Sequence, residues 1–188
     1  MTLALRSLPS RIFFDTNVVN FVFDNEDAIF ENQRIRDELS ESDRLNVISL
    51  QALFVTGQRV SWEIAISPIT YHEVMATRQA GRRADLLNWF NELWIYWREI
   101  VAEDEGISDY LAEQKAQDVH LARRLHCFPD QADRQLIAHA IAYKCDVFCT
   151  RDVRTILRRR DRAGDIPIRL ISPAELGERL RPWVHLIC

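Results

Sequence analysis

Four short apolar runs, each handing over to a helical pattern, constrain this chain more than any other feature. Arg11-Ile12-Phe13-Phe14 stops at Asp15, and Thr16 and Asn17 then offer polar groups suited to cap a helix. Trp62-Glu63-Ile64-Ala65-Ile66 is followed by the Ser67-Pro68 turn and a helical stretch holding Tyr71, Glu73, Val74 and Met75. Val147-Phe148-Cys149-Thr150 precedes a helix predicted over Arg151 to Arg160, and Ile168-Arg169-Leu170-Ile171 precedes a terminal helix opened by Ser172-Pro173. Strands joined through helices pair in parallel, and parallel strands are covered on both faces, which explains why these runs are so apolar. The expected fold is an α/β sandwich about a central, mostly parallel sheet.

The segments between these runs read as additional helices. Residues 26 to 58 predict one or two helices ending at Gly57. Arg82 to Cys127 is strongly helical, with Gly106 as the break between Arg82–Val101 and Ile107–His126, and Ala132 to Tyr143 forms a shorter helix. The expectation is one domain over residues 1–188, with helical insertions at about 24–60 and 82–127.

The net charge of −4 argues against a protein that coats nucleic acid by bulk electrostatics, while leaving room for a local basic groove. Cys127, Cys145, Cys149 and Cys188 lack paired CxxC spacing and histidines placed to complete a zinc site, so they are expected to be reduced thiols in a cytoplasmic protein. Met1 to Ser10 lacks the apolar core of a signal peptide, and no stretch has the length and apolarity of a membrane span.

In open parallel sheets the functional crevice lies beyond the carboxyl ends of the strands. Asp15 follows the first run directly, and Asp152 lies two residues beyond Thr150. Glu73 lies one turn into the helix after the second run, and Asp133 opens the helix before Val147. Taken singly, each has an ordinary reading as a cap or a helix-dipole partner. Asp130 either substitutes for Asp133 or adds a fifth acid. Two carboxylates about 4 Å apart repel by roughly 4 kcal/mol at an effective dielectric of about 20, so convergent acids call for cations or protonation. Oxygen ligands suit Mg²⁺ or Mn²⁺.

Taken together, Ile12-Phe13-Phe14-Asp15-Thr16-Asn17, the segment from Ser67 to Val74, and the stretch from Asp133 to Ala140 continuing to Cys149-Thr150-Arg151-Asp152 resemble a PIN domain in order and spacing. The resemblance runs from Arg11 through Ile171-Ser172-Pro173-Ala174-Glu175-Leu176, and this chain is longer than the compact members in its two helical insertions. It implies a three-layer sandwich, an acidic pocket of Asp15, Glu73, Asp133 and Asp152 for magnesium or manganese, and an endoribonuclease acting on RNA. It also implies two settings, a toxin restrained by a small antitoxin protein or an RNA-processing enzyme, and a homodimer as the assembly.

Beside the acids, Asn17 and Thr150 are candidates to orient the carboxylates, with simple capping as the competing reading. Arg151, Arg154, Arg158 and Arg162 recur every three or four residues and read either as a track for RNA phosphates or as a solvated helix face, with Arg82-Arg83 and Arg123-Arg124 as weaker candidates. Trp89, Trp94 and Trp97 lie in an amphipathic run with Leu86, Leu87, Phe90 and Leu93, where packing is a simpler role than base stacking. Neither His72 nor His139 has an evident ligand partner.

Two rival readings stand beside the nuclease. A phosphatase of the haloacid dehalogenase type also begins with an apolar strand ending in Asp, but requires a second acid where this chain has Asn17. An RNA-binding or scaffolding protein would keep the fold without turnover.

Overall fold

The computed structural model describes residues 8–57, 60, 62–76 and 84–187, with 84–86 and 182–187 described through their backbone alone. The first apolar run forms strand β1 (Arg11–Phe14), followed by helices α1 (Thr16–Asp24), α2 (Glu26–Phe30) and α3 (Glu41–Gly57). Strand β2 (Glu63–Ala65) leads into α4 (Pro68–Ala76) and α5 (Ala84–Glu103). Helices α6 (Asp109–Ala116), α7 (Val119–Leu125) and α8 (Gln131–Ala142) precede β3 (Val147–Cys149). A 3-10 helix (Leu157–Ala163), strand β4 (Arg169–Ile171) and α9 (Pro173–Ile187) complete the described chain.

All strand pairs are parallel, in the order β2-β1-β3-β4. Ile12 pairs with Ile64 on one side of β1, and Phe13 pairs with Phe148 on the other. Ile12, Phe13, Phe14, Phe148 and Cys149 have no exposed surface. Each such aromatic contributes on the order of 1.5–3 kcal/mol by leaving water. The Phe13 and Phe148 rings stack at 5.3 Å, locking the two central strands together.

The chain leaves β1 for β2 in one direction, then crosses back to β3 on the opposite side. Right-handed crossovers put helices from connections of opposite direction on opposite faces, the arrangement of a three-layer α/β sandwich. The reversal also creates a switch point between β1 and β3, where such sheets open a crevice at the carboxyl edge.

Two sequence expectations are corrected. The single helix expected over Ile107–His126 is two helices, because Asp118 interrupts it and its carboxylate accepts from the backbone N–H groups of His120 and Leu121 at the start of α7. The helix expected over Arg151–Arg160 is a turn followed by the 3-10 helix. Local acceptors redirect its backbone: Thr150 Oγ1 takes the Asp152 N–H at 3.0 Å and Asp152 Oδ1 takes the Thr155 N–H at 2.6 Å.

The tryptophans pack within the helical layers. Trp94 stacks on Tyr71 at 4.6 Å, Trp89 meets Phe30 and Phe54, and buried Trp97 stands edge-on to Tyr143. Cys127, Cys145 and Cys149 are free thiols, while Cys188 and the Arg82-Arg83 pair lie outside the described residues. Among the described residues, no helix is long and apolar enough to cross a membrane.

Candidate active site

Asp15 continues β1 past its carboxyl end, its N–H donating to the Cys149 carbonyl across the strand pair at 3.1 Å. It occupies the position before α1, yet its side chain makes no helix-capping hydrogen bond, the Thr16 N–H beside it only offsetting part of the rise in its pKa. The ordinary reading of Asp15 as a cap therefore fails. Its carboxylate is 5 % exposed, and Oδ2 accepts from the Thr150 hydroxyl at 2.6 Å and from Asn17 Nδ2 at 2.7 Å.

These donors form a closed network. The fully buried Thr150 hydroxyl donates to Asp15 and accepts from Asn17 Nδ2 at 3.1 Å and from the Asp152 N–H. Asn17 Oδ1 accepts the Arg151 N–H at 2.8 Å. Asn17 and Thr150 thus join the end of β1 to the segment after β3. Burial pushes the Asp15 carboxyl up to about 6, against the Thr150 hydrogen bond and with the charges of Asp133 and Asp152 adding to the rise.

Asp133 enters from the first turn of α8 and Asp152 from the turn after β3. Thr155 meets both: its hydroxyl oxygen lies 2.8 Å from Asp133 Oδ2 and 2.6 Å from Asp152 Oδ2. Burial raises the Asp133 carboxyl, as do the charges of Asp130 and Asp152, despite the Thr155 hydrogen bond. At Asp152 burial acts in the same direction, but hydrogen bonds from Thr155 and the Arg154 charge outweigh it and hold the carboxyl below its ordinary range. One edge thus keeps acids with divergent proton affinities, as sites of acid–base and metal chemistry do.

Asp130 has a structural duty: its carboxylate accepts the Ala132 N–H at 2.8 Å and caps α8. Glu73 is exposed on α4, beyond that helix's first turn, and accepts from the Thr16 hydroxyl at 2.7 Å. It thereby reaches the neighbour of Asp15. Among the described residues, no three His, Cys, Asp or Glu side chains are grouped as a ready cation cage.

Sequence spacing misjudged the arginines as one helix face, since the segment is not α-helical. Arg151 turns away to pair with Asp43 at the start of α3, its guanidinium lying 3.6 Å over the Phe21 ring. Arg154, Arg158 and Arg162 remain exposed. Thr155 escaped the sequence reading, although the Asp152-x-x-Thr155 spacing was a signal that the turn would bring its hydroxyl back onto the acid. His139 is buried, with Nε2 3.3 Å from Glu113, and His72 is exposed on α4.

No family model matches the chain, and comparison with curated proteins and with solved structures likewise finds no match. Function is therefore read from the chemistry of the site. Asp15 with Thr150, and Asp133 and Asp152 with Thr155, form two carboxylate–hydroxyl groups from separate elements, oxygen donors of the kind a hard divalent cation takes. The raised Asp15 carboxyl is the group such a cation would return to its ionised form.

Proposed function

We propose that this chain is a metal-dependent endoribonuclease of the PIN kind. Asp15, Asp133 and Asp152 would hold Mg²⁺ or Mn²⁺, with Glu73 completing the site from α4. The observation that supports this best is the buried Asp15 carboxylate, set against two other acids at the switch point of a parallel sheet with no capping duty of its own. Buried charge of one sign without a compensating cation costs stability, and functional sites are where such a cost is retained.

When bound, the ion supplies a water of lowered pKa and offsets charge on the phosphate. The chain's own groups do the rest. Thr150 and Asn17 fix the Asp15 oxygen by two hydrogen bonds. Arg154, Arg158 and Arg162 offer exposed cations to the phosphates of the RNA strand, a sequence-independent contribution that weakens with salt.

The test is cleavage of labelled single-stranded and structured RNA by wild type and Asp15→Asn, with Mg²⁺, Mn²⁺ or chelator. Metal-dependent cleavage that Asp15→Asn abolishes is the expected result. A metal-loaded wild type that binds RNA and leaves the whole panel intact overturns the enzyme and favours a binding module.

A further inference from the structure

We infer that Thr155 is a positioning residue that ties Asp133 to Asp152 and so presets the spacing of two of the carboxylates in the proposed metal site. The inference rests on the nuclease reading above, and concerns a residue that touches neither strand end itself.

Asp133 belongs to α8, before β3, whereas Asp152 follows β3. Nothing in the local backbone of either segment obliges the two to meet. The Thr155 hydroxyl oxygen is 2.8 Å from one and 2.6 Å from the other, so their two oxygens can be no further apart than those contacts together allow. A hydroxyl carries a single hydrogen, and it can donate fully to only one carboxylate at a time. The second carboxylate oxygen is held at contact distance from the hydroxyl oxygen without a hydrogen of its own from it, with a like charge just beyond, which a stabilising turn contact would have no reason to arrange.

The competing role is local. Thr155 N donates to Asp152 Oδ1 at 2.6 Å, and that bond closes the turn by itself. The side-chain contact to Asp133, 22 residues away in sequence, adds nothing to that turn. It joins two elements at the edge that also carries Asp15. A hydroxyl at this place also leaves both carboxylates their remaining lone pairs, whereas an arginine or lysine would neutralise them and compete with a cation.

The two roles separate by experiment. Thr155→Val removes the hydroxyl and keeps the shape, and Thr155→Ser keeps the hydroxyl. Mn²⁺ affinity is measured by calorimetry and by the spin-resonance signal of free Mn²⁺, alongside melting curves and RNA cleavage. The expected result is a Mn²⁺ affinity about tenfold weaker in Thr155→Val, with kcat lowered and the RNA KM unchanged, and recovery to within about twofold in Thr155→Ser. A folded Thr155→Val with wild-type Mn²⁺ affinity overturns the inference, as does a folded Thr155→Ser that fails to recover it. Should wild type bind Mn²⁺ and cut no RNA, the nuclease reading falls while the affinity ratio still decides the role of Thr155. Wild type that binds no Mn²⁺ overturns both.

Discussion

At the amino end of β1, Arg11 is surrounded by Glu63, Asp104 and the Tyr143 carbonyl, whereas Asp15, just past the other end of the same strand, has two neutral donors and two neighbours of its own charge. Asp146, also at the amino end, accepts from the N–H groups of Ser10 and Arg11 at 2.7 and 3.1 Å. Burial pulls its carboxyl up, but those donors win and hold it below the ordinary range. At Asp15 the hydrogen bonds lose to burial and to like charge. The balance between depth of burial and hydrogen-bond donors thus decides whether an acid stays ionised: Asp15 is the more deeply buried and like charge adds to its rise, whereas Asp146 is only partly buried and held by backbone N–H groups. The amino end pairs its charges within the chain, and on the proposed reading the carboxyl end leaves its charge for a cation.

The largest expected effect lies at the amino end. Arg11→Met leaves Glu63 and the Tyr143 carbonyl without their partner and should cost about 3 kcal/mol in denaturant unfolding, while activity per folded molecule stays unchanged. Equal losses of stability and specific activity would show that the two ends are coupled.

The next effect has the opposite sign. With its folded pKa raised to about 6, Asp15 contributes stability that is complete below its ordinary value of 3.8 and disappears as pH rises through 6. In chelator this amounts to about 3 kcal/mol between pH 3 and pH 7. Asp15→Asn should therefore unfold at higher temperature than wild type at pH 7 and lose that portion of the pH dependence. An Asp15→Asn protein less stable than wild type at pH 7 would mean that the carboxylate is already compensated, as the amino end is.

Thr150→Val sits between these cases, because it removes one bond to Asp15 and leaves the Asp152 N–H and one Asn17 N–H without their acceptor. A loss of about 1–2 kcal/mol is expected, read by thermal unfolding, with weaker Mn²⁺ binding in calorimetry. The smallest effect belongs to Arg158→Ala on the exposed segment. Stability should move by less than about 0.5 kcal/mol, while the salt dependence of RNA binding loses about one unit of slope. An unchanged slope removes Arg158 from the RNA contact.

Much of the carboxyl end was legible in the chain. Asp15 and Asp152 follow short apolar runs that read as strands and are strands, and a residue at a strand end is placed by local pattern. Asp133 was recognisable at a helix start, but its distinction from Asp130 was not, since only hydrogen-bond geometry shows that Asp130 spends its carboxylate on the Ala132 N–H. Arg151 was misread for a related reason: its spacing matched an α-helix that the Thr150 and Asp152 side chains prevent from forming. Its partner Asp43 lies in a helix far away in sequence.

The sequence by itself determined the periods, the strand ends, the α/β class and the acids available for a site, because all of these depend on contacts between near neighbours. Strand order was decided only in three dimensions, as were the placement of Asp133 and Asp152 within electrostatic reach of Asp15 and the Thr155 bridge. A parallel sheet can set its strands in several orders with the same local patterns, and long-range packing, such as Phe13 on Phe148, selects the one that makes β1 and β3 adjacent.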